Sequence, residues 1–230
     1  MEKTVRIAGR IALIPFLLSF TTSDLHFAQS RTPVHTAERT VTAEKAFGSL
    51  PMSFEVNKGQ FDPQFKFVSY GTHYALLVNS TGATLKLRNT GVLQSAAVRM
   101  NLVGANPSAT VTGVEQLPGT ANYMHGTPEN WITHVPTYKK VLAENVYPGV
   151  DVAYYGNQGG LEYDFILKPG ASPEMIDVAF EGASKLALSV DGDLVFSIAG
   201  QEIRQPKPVV YQESGEHRSL VEGKYILRGP

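Results

Sequence analysis

Glu162 and Asp164 lie two residues apart in Leu161-Glu162-Tyr163-Asp164-Phe165, a run that alternates apolar and acidic side chains. Alternate residues of a strand point to one face, so the two carboxylates would stand side by side. A carboxylate pair at the right separation is the machinery of glycoside hydrolysis, one member acting as acid and the other as base or nucleophile. Just upstream, the adjacent Tyr154 and Tyr155 must face opposite ways, so at most one belongs to a core and the other can meet a sugar ring or a partner surface. Tyr154, Tyr155, Glu162 and Asp164 are therefore the candidate binding residues. The same alternation is what any strand with one solvated face shows, and no catalytic residue is assigned.

A second cluster is Phe54-Glu55-Val56-Asn57-Lys58-Gly59-Gln60 with Asp62. Short polar side chains of this kind hydrogen-bond loop backbone, and a glycine permits tight geometry. Asn57, Gly59, Gln60 and Asp62 are read as loop-structuring residues, with a ligand-facing loop as the alternative. Asp191-Gly192-Asp193 offers two carboxylates to a hard cation but lacks the further acidic positions and distal Glu of a calcium loop. Between two apolar runs it reads as a hairpin turn. Outside residues 1–30, the histidines His35, His73, His125, His134 and His217 show no zinc spacing. No nucleophile elbow, phosphate loop or dinucleotide fingerprint occurs. No metal or cofactor is expected, with calcium, which no motif supports, left open as the alternative.

These residues need elements to hold them. The spacing predicts strands over 65–70, 74–78, 84–88, 98–103 and 110–115, then over 138–142, with a hairpin across 146–167 whose turn is rich in Gly and Asn. A second hairpin joins 186–190 to 194–198 through Asp191-Gly192-Asp193, and strands at 208–212 and 224–227 close the chain. Ser172 followed by Pro173 predicts one helical turn with Ser172 as its cap. No stretch sustains a helical period. The expected fold is all-β, a mostly antiparallel sandwich with only one or two helical turns. Pro118, Gly119, Gly126 and Pro128 suggest an irregular connection over 118–133 between two β lobes, 51–117 and 134–230. One continuous domain over 51–230 is the alternative.

The 230 residues hold 20 Lys and Arg against 21 Asp and Glu, a net charge of −1. This near-neutral balance, without a basic block, argues against nucleic acid as a partner. Lys3, Arg6 and Arg10 precede an apolar run over 11–20, and Ala28-Gln29-Ser30 follows; together they read as a signal peptide over 1–30, cleaved near Ser30. The apolar run is shorter than a bilayer span requires, and no later stretch of the mature chain is long enough. Residues 31–50, polar and rich in Thr and Ala, are read as a flexible leader. With no cysteine, an exported chain must rely on core burial instead of disulfides.

Several motifs occur in a definite order: the cluster 54–60 with Asp62, Asn122-Tyr123 with Gly126, Trp131, Val135-Pro136 with Tyr138, and Val146-Tyr147-Pro148-Gly149-Val150-Asp151. Tyr154-Tyr155-Gly156, 161–165, Gly182-Ala183, Gly192-Asp193-Leu194, Lys207-Pro208 and Tyr211-Gln212 follow. In this the chain resembles the N-terminal domain of bacterial secreted or surface proteins that carry SBBP-type β-propeller repeats, a family of unestablished activity. The resemblance implies an exported, non-catalytic module, structural or binding, at the cell surface or released from it. Its partners would be downstream propeller repeats, a surface protein or a polysaccharide. The chain stops at Pro230 before any repeat, so either repeats follow or the domain stands alone. The alternative function is a carbohydrate-binding domain or a glycoside hydrolase-like enzyme.

Overall fold

The computed structural model describes residues 4–11, 52–71, 74–87, 96–157, 160–183, 185–198, 201–214 and 217–228. Of the expected leader, only 4–11 fall among them; the segment expected to be flexible, 31–50, lies outside the described residues. Thr4–Ile11 forms the first strand, β1. Next come β2 (Phe54–Val56), β3 (Phe67–Tyr70), β4 (Tyr74–Asn79), β5 (Gly82–Leu87) and β6 (Ala96–Leu102). Two long strands follow, β7 (Thr110–Tyr123) and β8 (Ile132–Tyr147), then the hairpin of β9 (Val150–Asn157) and β10 (Gly160–Leu167). The remainder comprises β11 (Val178–Glu181), β12 (Lys185–Leu188), β13 (Leu194–Ile198), β14 (Gln201–Gln205), β15 (Val209–Ser214) and β16 (His217–Val221). Among the described residues the helical content is two single turns, Pro128–Asn130 and Pro173–Met175, and the second is capped by Ser172, whose side chain accepts from the Glu174 N–H.

The fold is all-β, and its ladders among the described residues are antiparallel. One large sheet runs in the order β11-β6-β5-β4-β3-β2-β8-β9-β10-β1-β15-β16, with β7 branching from β8; β12-β13-β14 form a second, three-stranded sheet. The large sheet curls until β4–β6 face β9–β10, and Phe180 of β11 packs on Phe196 of β13 with ring centres 4.8 Å apart. Between these layers sits one core, from Phe54 and Leu76 through Val152 and Phe165 to Phe196 and Ile203. On β10 the alternation is plain: Leu161, Tyr163, Phe165 and Leu167 are all buried on the core side. The reverse face of β3 and β4 carries a small satellite cluster of Phe65, Val68 and Leu77, with Phe61 against it.

Two expectations give way here, besides the strand expected over 224–227: among the described residues that segment is not a strand, and the last strand, β16, ends at Val221. Residues 118–123 are not an irregular connection but the second half of β7, paired with β8 as far as Tyr123 opposite Ile132. Pro118 and Gly119 fall where the register shifts between Gln116 and Thr120, and β7 is an edge strand, where a missing N–H and a bulge are tolerated. Nor do 51–117 and 134–230 form separate sheets. β2 pairs with β8, and β11 pairs with β6, so the large sheet runs through both segments. A third finding concerns the N-terminus: β1, within the expected signal peptide, lies between β10 and β15.

Candidate binding surface

The β9–β10 hairpin places Tyr155 opposite Glu162 and Ala153 opposite Asp164. Cross-strand neighbours share a face, so Tyr155, Glu162 and Asp164 come together, while Tyr154 turns to the other side. Tyr154 is 1% exposed, lies 6.5 Å from the Tyr163 ring, and its hydroxyl has no hydrogen-bond partner among the described residues. Burial pushes its phenol above the ordinary range. It lines an apolar cavity of about 20 Å³ together with Leu85, Met100, Leu161 and Phe196. None of Tyr155, Glu162 or Asp164 lines that cavity.

On the outer face, Tyr155 Oη donates to Asp164 Oδ1 at 2.9 Å. Burial first, and then the Asp164 carboxylate, hold the Tyr155 phenol protonated far above its ordinary range. Asp164 is itself buried, while Glu162 is half-exposed. Beyond β1, Tyr211 of β15 lies under Arg218, whose guanidinium sits 4.1 Å above the ring and bonds Glu213 Oε1 at 2.8 Å. The arrangement is a hydrogen-bonding surface with two half-exposed carboxylates, Glu162 and Glu213.

The loop after β2 is built around Asn57. Its Nδ2 donates to the carbonyls of Phe65 (2.8 Å) and Asp62 (3.0 Å), and its Oδ1 accepts from the Gly59 N–H (2.9 Å) and the Phe61 N–H (3.3 Å). Gln60 bridges the other side, accepting from the Lys58 N–H at 2.6 Å and donating to the Val56 carbonyl at 2.7 Å. Gly59 has φ +110°, a conformation that L side chains rarely adopt. Asp62 accepts from the backbone and side-chain amides of Gln64, which hold its carboxyl below the usual carboxylate range.

This loop meets the far end of the β7–β8 hairpin. Lys58 Nζ donates to the His134 carbonyl at 3.2 Å. His134, at φ 56°, is held in turn by Asn122, whose Oδ1 accepts its N–H at 2.9 Å. Tyr123 Oη donates to the Glu55 carboxylate. The Phe61 ring stands edge-on to both Tyr123 (5.6 Å) and Tyr70 (6.0 Å). Trp131 Nε1 donates to the Gly126 carbonyl at 3.4 Å. Tyr70, Met124 and Trp131 remain exposed, by 40%, 59% and 41%. Sequence reasoning passed over Glu55, Phe61, Tyr70 and Tyr123 as a group. The available signal was Glu55 itself, an acid alternating with the core residue Phe54; its partner lies 68 residues away.

Two other acidic motifs serve the scaffold. Asp151 Oδ1 accepts from the Asn145 N–H (2.7 Å) and pairs with Lys168 Nζ (3.3 Å), fixing Asn145 at φ 53° where the β8 register shifts. Asp193 bonds Arg204 through Oδ2 (3.2 Å) and the Lys207 N–H through Oδ1 (2.9 Å), tying its hairpin to β14 and the loop beyond. Among the described residues, no group of three or more His, Asp or Glu side chains converges as metal ligands do.

The molecule is thus a curled antiparallel β domain with polar and aromatic side chains gathered where one loop meets a long hairpin. A family model described as a domain of unknown function (DUF7948) matches residues 54–230, and the chain belongs to that family. No curated protein and no solved structure matches it.

Proposed function

We propose that this chain is an exported, non-catalytic β module that binds a surface partner and precedes β-propeller repeats. The observation that carries the binding role is the cluster of Glu55, Phe61, Tyr70 and Tyr123 at the hairpin end that also exposes Trp131 and Met124. Rings with an apolar body and a polar tip suit interfaces and the faces of sugar rings. Here hydrogen bonds and edge-on packing pre-set them, which lowers the entropy lost on binding. The non-catalytic reading is supported by the engagement of the acids: Asp164 holds Tyr155, Asp151 holds a bulge and Asp193 holds a turn. Export is supported by the leader-like order of Lys3, Arg6 and Arg10, an apolar run and Ala28-Gln29-Ser30. The motif resemblance supports a place ahead of propeller repeats.

The test is retention of the purified chain on a panel of insoluble and gel-embedded polysaccharides, with and without calcium, while released reducing ends are assayed. Retention without release, lost in Trp131→Ala and Tyr70→Ala, is the expected result. Retention lost instead in Glu162→Gln would move the binding surface to the β9–β10 face. Release of reducing ends that ceases in Glu162→Gln or Asp164→Asn would establish the glycoside hydrolase-like alternative.

A further inference from the structure

β1 fills a gap that the strands of the matched domain leave between them. Its backbone pairs with β10 from Val5 opposite Leu167 to Ile11 opposite Leu161, and with β15 from Thr4 opposite Glu213 to Ala8 opposite Val209. Being antiparallel to both, it leaves β10 and β15 parallel to each other and about 10 Å apart, two strand spacings. The family match starts at residue 54, beyond β1. Closing the gap would require a parallel ladder in a sheet whose described ladders are antiparallel. Without β1, β10 and β15 each present a row of unpaired N–H and C=O groups, the template that an added strand recognises.

We propose that the slot between β10 and β15 is a strand-acceptor site. Thr4–Ile11 occupies it before processing, and an extended cationic segment of a partner protein takes its place once the leader is cut. The inference rests on the export reading above. The register of β1 defines the chemistry of the incoming strand. Val5, Ile7 and Ile11 stand opposite the buried Leu167, Phe165 and Leu161, and Gly9 stands opposite Tyr163. The Tyr163 ring is packed against Phe165 at 5.8 Å, so a small residue belongs across from it. On the alternate positions Arg10 is opposite Glu162, Ala8 opposite Asp164 and Thr4 opposite Glu213. Neither β10 nor β15 contains Lys or Arg. The complementary strand therefore places branched aliphatic residues on one set of alternate positions, a small residue opposite Tyr163 and a basic residue opposite Glu162.

Residues 31–50 of the same chain do not match. Every set of four alternate positions within them includes a Glu, Lys or Arg, so they present no apolar face of that length, and a slip of one position only exchanges one mixed face for the other.

The test uses the full chain expressed through an export pathway and recovered after release, with its N-terminus sequenced. A fluorescent peptide of sequence Thr-Val-Arg-Ile-Ala-Gly-Arg-Ile is then titrated, and amide exchange over 161–167 and 209–213 is followed. The expected result is an N-terminus near Arg31, a monomer, saturable peptide binding, and slower exchange of those amides in its presence. A peptide with Gly9→Trp or Ile7→Asp should bind at least about tenfold more weakly. A processed protein that ignores the peptide, or whose amides are already protected by its own residues or by a second copy, would overturn the acceptor site while leaving the export reading intact. A released protein that retains Thr4–Ile11 would overturn the export reading and the acceptor site together, β1 then being a permanent strand.

Discussion

Tyr123 donates its phenolic proton to the carboxylate of Glu55, joining β7 to β2 across a separation of 68 residues. The two strands do not pair with each other; each pairs with β8. The side-chain bond is thus a cross-tie over the strand between them. Removing it with Tyr123→Phe leaves the ring packed on Phe61 and deletes only the donor. A bond to a charged acceptor contributes roughly 1.5–3 kcal/mol when sheltered, and this half-exposed one should lie at or below about 1 kcal/mol. Urea denaturation of the variant should show a lower midpoint with an unchanged slope. A midpoint equal to the parent's would show that the cross-tie contributes nothing to stability.

The tyrosines make the fold sensitive to alkali. Burial raises the phenols of Tyr74, Tyr147, Tyr154 and Tyr163, and burial with the Asp164 carboxylate raises Tyr155. Burial also pushes Tyr225 up to about 12. A phenol whose pKa is higher folded than unfolded contributes stability that is complete below its ordinary value of 10.0 and is lost as pH rises toward the raised value. Thermal stability should therefore be flat through neutral pH and fall steeply above about pH 10. Absorbance at the phenolate band should show a first group ionising reversibly and the remainder appearing only with unfolding. Smooth titration of every phenol around pH 10 in the folded protein would contradict this.

Asn57 supplies donor and acceptor from one amide to the loop that carries Phe61. An alanine removes both, and an aspartate keeps the acceptor but cannot donate to the carbonyls of Asp62 and Phe65. Asn57→Ala should cost about 2 kcal/mol, and Asn57→Asp nearly as much, since either strips the partly buried Phe65 carbonyl of its amide donor, while the Asp62 carbonyl keeps the Phe65 N–H. In the polysaccharide assay both variants should lose retention along with Trp131→Ala, even though Asn57 touches no ligand. Loss of stability with full retention would separate the loop from the binding surface.

The strands were legible because their signal is local. The alternation of Leu161, Tyr163, Phe165 and Leu167 with acidic and aliphatic neighbours announces a strand with one core face, and the two-residue period alone sends Tyr154 and Tyr155 to opposite sides. Asp191-Gly192 announces its turn, where Gly192 has φ +85°. What stayed hidden is non-local. Pro118 and Gly119 look like breakers until β7 is seen to be an edge strand that can absorb a bulge. Glu55 and Tyr123 meet because both their strands border β8, which no spacing in either strand reveals. β1 is ambiguous for another reason: basic residues alternating with aliphatic ones describe the head of a leader and a strand of this sheet equally well.

Gln205 joins the two sheets. It is fully buried on β14, and its Nε2 donates to Tyr163 Oη of β10 at 2.6 Å and to Tyr225 Oη at 2.5 Å. Tyr225 passes the chain of bonds on to the Pro206 carbonyl at 3.0 Å, which pins residues 222–228 beside the turn after β14. Gln205→Leu would take the amide donor from both phenols, leaving Tyr163 Oη without it while Tyr225 keeps its bond to the Pro206 carbonyl, so it should cost more than either tyrosine change alone, about 1–3 kcal/mol. Tyr163→Phe should cost about 1 kcal/mol, and combining it with Gln205→Leu should add less than the sum of the two, because the same bond is being removed twice. Tyr225→Phe should change global stability little but expose the final segment, so limited proteolysis would clip within 222–228 well before the core is cut. Strict additivity in the double variant would show that the amide does not couple the sheets, and a protease-resistant tail in Tyr225→Phe would show that packing alone holds it.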